Sequence, residues 1–79
     1  MSVEVHLFAA ARAAVGESMV TVPAGTLGSV LESLADSYPE FGRVRPQCSF
    51  LVDEVSCRDD AAPVNDGSRV DVLPPFAGG

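Results

Sequence analysis

The stretch from Thr26 to Pro39 constrains this chain more than any other. Leu27, Val30, Leu31, Leu34, Ala35 and Tyr38 recur at i, i+3, i+4, i+7, i+8 and i+11, which is one apolar stripe along a helix. Glu32, Ser33, Asp36 and Ser37 occupy the other side. Thr26 supplies an N-cap oxygen, and Pro39 ends the helix because it disfavours helical geometry at the residue before it. A stripe of this width is suited to covering one face of a sheet.

The flanking segments supply the strands of that sheet. Val3, Val5 and Leu7 alternate with Glu4, His6 and Phe8, the period of a strand with one buried face. Ala9 to Val15 has high helix propensity and Gly16 stops it, so a short helical turn is expected. Ser18 to Val22 reads as a second strand, with Val20 and Val22 opposite Met19 and Thr21, and Pro23-Ala24-Gly25 as a loop. Residues 40–47 show no period and read as a crossing loop, with Arg43 and Arg45 solvated. Cys48 to Val52 and Val55 to Arg58 form a hairpin about Asp53-Glu54, in a register that opposes Phe50 to Cys57. Cys48 is then diagonal to Cys57, at about 7–8 Å, too far for a disulfide. Both cysteines read as small core or edge residues. Asp59-Asp60 begins a solvated loop, Asn65-Asp66-Gly67 is a turn, and Arg69 to Leu73 is the last strand, Val70 and Val72 inward and Asp71 and Leu73 outward.

Strand, strand, long helix, strand, short strand, strand is the order of an α+β roll of the β-grasp kind, a mixed sheet of four to five strands under one main helix. The right-handed crossover rule lets the first and last strands lie parallel at its centre. Phe8 and Leu73 then stand on the face away from the helix, where the chain departs as a tail. Residues 1–74 are expected to form this single domain and residues 75–79 a flexible tail.

Charge and composition narrow the partners. The 79 residues hold eleven Asp and Glu against five arginines and no lysine, a net charge of -6, which disfavours nucleic acid and anionic membranes and favours a basic protein surface. Two cysteines without CxxC spacing and one distant histidine, His6, give no zinc site, and no metal is expected. His6 reads as an exposed strand residue. The start of the chain lacks a signal-peptide pattern, so a cytoplasmic setting is expected.

The end of the sequence carries the chemistry. Pro74 and Pro75 forbid further helix or central-strand pairing, and beyond Phe76 the side chains shrink through Ala77 to Gly78 and Gly79. Such an ending is costly to order and offers nothing to pack, yet it can be threaded through a narrow channel to expose a terminal carboxylate. The six residues after Leu73 span about 20 Å when extended.

Phe8-Ala9-x-x-Arg12-x-x-Val15-Gly16, Asn65-Asp66-Gly67 and Leu73-Pro74-Pro75-Phe76-Ala77-Gly78-Gly79 together resemble the small subunit of molybdopterin synthase, a ubiquitin-like sulfur carrier. The resemblance spans essentially the whole chain. It implies that Gly79 is adenylated by an E1-like activating enzyme that uses ATP and magnesium, then converted to a thiocarboxylate. That group would donate sulfur to a pterin precursor in the large subunit of molybdopterin synthase. Gly78 would allow passage, Pro75, Phe76 and Ala77 would line the tail, and Phe8, Arg12 and Leu73 would contact the large subunit or the activating enzyme. The small subunit itself binds no cofactor and contributes no catalyst. Members of this family often carry an apolar residue where this chain has His6. Sulfur carriers for thiamine or cysteine synthesis and ubiquitin-like protein modifiers share the Gly-Gly ending, and stand as alternatives.

Overall fold

The computed structural model describes residues 1–74. The elements in chain order are β1 (Ser2–Leu7), α1 (Ala9–Val15), β2 (Met19–Pro23), β3 (Gly25–Thr26), α2 (Leu27–Ser37), α3 (Pro39–Val44), a 3-10 turn (Arg45–Gln47), β4 (Ser49–Val52), β5 (Val55–Ser56), β6 (Pro63–Val64) and β7 (Arg69–Leu73). Among the described residues, five strands make the main sheet in the order β2-β1-β7-β4-β5, while β3 and β6 form a separate two-stranded pair. β1 and β7 run parallel at the centre, and the other neighbours are antiparallel. This is the β-grasp roll expected from the order of elements.

Alternation explains the core. Val3, Val5 and Leu7 of β1 and Val70 and Val72 of β7 are each at most 2% exposed, and they meet Leu27, Val30, Leu31 and Leu34 of α2. The Thr26 hydroxyl accepts the Ser29 N–H at 3.1 Å, the N-cap geometry that its position predicts. Gly16 closes α1 at φ +85°, a conformation that glycine adopts without a Cβ penalty. In the hairpin, Leu51 pairs with Ser56, and the Cys57 N–H donates to the Phe50 carbonyl. Asp53 and Glu54 take φ +49° and +70°, as a two-residue turn of the primed kind requires. Both cysteines are free and half-buried against the core.

Residues 40–47 are not a crossing loop. Pro39 ends α2, but it also occupies the first turn of α3, where its missing N–H is no loss. Phe41 then enters the core at 0% exposure, and a 3-10 turn follows. Arg45 is not merely solvated either. Its guanidinium lies 3.2 Å from Glu32 and 3.9 Å from Asp60, tying α2 to the loop before β6. Asp60 therefore has a partner, while Arg43 remains largely exposed, 3.7 Å from Glu40. The β3–β6 pair went unforeseen, β5 stops at Ser56 rather than Arg58, and β2 includes Pro23. Among the described residues no helix is long and apolar enough to cross a membrane.

Candidate functional site: the root of the C-terminal tail

The end of β7 is fixed from both sides. Leu73 pairs with Ser49 of β4, and Leu7 of β1 lies opposite Val72. The next residue, Phe8, donates its N–H to the Val72 carbonyl at 3.3 Å, while its own carbonyl accepts the Ala11 and Arg12 N–H groups at 3.1 and 3.4 Å. Phe8 thus joins the central strand to the first turn of α1. The corner is tight enough that Ala9 takes φ +49°. Phe8 is 39% exposed, Leu73 is half-buried, Pro74 is buried and Arg12 is exposed on α1. The structure therefore brings Phe8 and Leu73 together at the point where the tail leaves, with Arg12 one helical turn from Phe8. Pro75, Phe76, Ala77, Gly78 and Gly79 lie outside the described residues.

The sheet face opposite α2 continues from this root. Strand register places Met19, His6, Asp71, Leu51 and Ser56 in one row across all five strands. Thr21, Glu4 and Arg69 form the next row, away from the tail, and Asp53 closes it through its N–H to the Arg69 carbonyl. His6 is less exposed than its outward position implies, with 24% of its side chain accessible. Its Nε2 lies 3.0 Å from Glu4 Oε1. Asp71 points outward as expected yet is only 7% exposed, held by the Arg69 Nε at 2.6 Å. That bond is the main reason the Arg69 guanidinium is held more firmly protonated than usual, with Glu54 and Glu4 adding to it. These rows escape a reading by periodicity because they appear only when strand order and register are known.

The thiols are held by backbone carbonyls of the body. Cys48 donates to the Val44 carbonyl at 3.2 Å, and burial pushes its thiol up from the usual range, so it stays protonated at neutral pH. It lines an open cavity of about 330 Å³ with Pro46, Gln47, Ser49, Phe50, Arg58 and Asp60. Cys57 lies 3.7 Å from the Asp59 carbonyl. Among the described residues, no group is arranged as an activated nucleophile.

Comparison with known proteins agrees with this architecture. The sequence model of the ThiS family matches residues 5–79. The small archaeal modifier protein 1 of Methanosarcina acetivorans is similar in structure, with a TM-score of 0.88 and 25% identity over 99% of this chain and 96% of that one. The Haloferax volcanii HVO 2177 protein is 32% identical, with a TM-score of 0.77, over 100% of this chain and 87% of that one. Subunit 1 in the complex of subunits 1 and 2 of the Helicobacter pylori molybdopterin-converting factor shares the fold, with a TM-score of 0.75 and 23% identity over the whole of both chains.

Proposed function

Because the chain belongs to the ThiS family, with the ubiquitin-like fold of its sulfur carriers, we propose that it carries sulfur on the carboxyl group of Gly79 for molybdopterin synthesis. The observation that supports this reading best is the root of the tail. Central strand β7 delivers the chain beside Phe8 and Leu73, on a face that no helix among the described residues covers, and the sequence then runs Pro74-Pro75-Phe76-Ala77-Gly78-Gly79.

The chemistry follows from the carboxylate. A carboxylate is a poor electrophile, so one of its oxygens must first attack the α-phosphorus of ATP, held with magnesium in an activating enzyme. Pyrophosphate leaves and an acyl-adenylate remains. A hydrosulfide-level donor then attacks the acyl carbon, AMP leaves, and a thiocarboxylate is formed. A glycine at that carbon leaves both sides open. The thiocarboxylate is a soft nucleophile, which a tail of about 20 Å can carry into the large subunit's buried site to meet a pterin precursor. Phe8, Leu73 and Arg12 dock against the large subunit or the activating enzyme, Pro75 to Ala77 line the channel, and Gly78 passes its narrowest part. The chain works where thiols stay reduced, as in cytoplasm.

Two features favour the molybdopterin branch over thiamine or cysteine synthesis. One is the Pro-Pro pair ahead of Phe76 joined to the Phe8-to-Arg12 motif. The other is the shared fold with a subunit whose structure was determined in complex with a second molybdopterin-converting subunit. A second reading rests on the likeness to the archaeal modifier protein. There the activated Gly79 would form an amide with a lysine of a target protein.

Intact-mass measurement separates these outcomes. Incubated with its activating enzyme, ATP, magnesium and a sulfide donor, the chain should exchange one oxygen for sulfur, and only when ATP is present. The absence of that exchange overturns the carrier reading. Lysine-linked conjugates recovered from cells in its place support the modifier.

A further inference from the structure

The uncovered sheet face changes character along its strands. At the tail end stand Phe8 and Leu73, with Met19 at 42% exposure one row further in. The charges near that end are not an acidic surplus: Arg12 and Glu17 offset each other, and Arg58 lies beside Ser49, the partner of Leu73. At the other end, four residues back along β7 and so about 13 Å away, Arg69 is surrounded by acids. Glu4 sits beside it in register, and the Asp53 Oδ1 accepts its N–H at 2.9 Å. Glu54 lies close enough to act on its charge, and the Asp66 Oδ1 accepts the Ser2 N–H at 2.8 Å at the start of β1. Asp71, midway, already occupies the Arg69 Nε. The far end therefore keeps a surplus of carboxylates over its single guanidinium.

We propose that this graded face orients the carrier on its protein partners, the apolar end seating at the mouth of the partner's channel and the acidic end pairing with arginine or lysine about 13 Å from that mouth. The inference rests on the sulfur-carrier reading and adds the chemistry of the surface that the partner must present. Three observations favour a basic protein over other occupants. A second copy, itself of net charge -6, would set the same acidic end against this face. The tail leaves at the apolar end, so a partner that takes the tail covers this face too. A uniformly apolar face could also seat in the reversed orientation, directing the tail away from the channel, whereas a charge at one end penalises that reversal.

Steering by charge acts on encounter, so the quantity to follow is kcat/KM of the activating enzyme from the same organism at limiting carrier. It is measured as ATP-dependent sulfur uptake on Gly79, at about 50 and about 500 mM sodium chloride, which span weak to strong screening. Glu4→Gln with Glu54→Gln should lower kcat/KM roughly tenfold at low salt and flatten its salt dependence. Asp36→Asn, on the exposed side of α2, should stay within about twofold of the parent. Far-UV circular dichroism establishes that each variant is folded. If the parent takes up sulfur and the double variant does so at the same rate with the same salt dependence, the orientation proposal is overturned and the carrier reading stands. If the parent takes up no sulfur, both fall.

Discussion

Asp53 shows how much a single side chain adds to a turn. Its N–H donates to the Arg69 carbonyl at 2.8 Å, and its Oδ1 accepts the Arg69 N–H, so it stitches the β4–β5 hairpin to the central strand. The bond from Arg69, followed by one from Ser68, holds the Asp53 carboxyl below the usual carboxylate range. A folded value below the unfolded one of about 3.9 means that the stabilisation is present above that pH and is lost as pH falls through the folded value. Asp53→Asn keeps an acceptor and tolerates the left-handed backbone, but it has no charge to lose. The gap in melting temperature between parent and variant should therefore be widest near neutral pH and narrow as pH falls below the usual carboxylate range, as thermal melts across the acid range will show. The turn was legible in the sequence from its place between two strand patterns. The role of the side chain was not, because its partner lies sixteen residues away. The same limit hid the half-burial of His6 and the near-complete burial of Asp71, which depend on neighbours across the sheet.

Elements were legible where a pattern had room to repeat. Helix α2 declares its face over three turns, and β1 and β7 alternate cleanly about valines. Helix α3 has six residues and one buried anchor, Phe41, which establishes no period, and its opening proline reads equally as a terminator. The β3–β6 pair has two residues in each strand, below the length at which alternation carries information. Yet α3 is no ornament. Phe41 is among the largest fully buried side chains, and Phe41→Ala should cost about 3–5 kcal/mol. In a domain this small that is a large share of the total. Urea titration followed by far-UV circular dichroism should show a midpoint far below the parent's, and a shift no larger than that of an exposed substitution would place Phe41 outside the core.

The whole molecule divides labour between a body that packs and an ending with little to pack. Val3 to Val72 supply the core, whereas Gly79 has no side chain to bury. Deleting Gly79 should leave the melting temperature within about 3 °C of the parent. The same deletion should abolish sulfur uptake in the ATP-dependent assay, and uptake that survives it would place the chemistry elsewhere. The parallel centre of the sheet was foreseeable from the order of elements and the handedness of the crossover. The grading of the outer face was not, because it needs the register of four strands at once. The parallel pairing of β1 with β7 also has a temporal side. The two central strands come from opposite ends of the described chain, so a nascent chain on the ribosome holds β1 without its parallel neighbour until the last of the described strands has been made. Closing the sheet must wait for the largest loop the topology allows, which slows folding relative to a protein of local contacts.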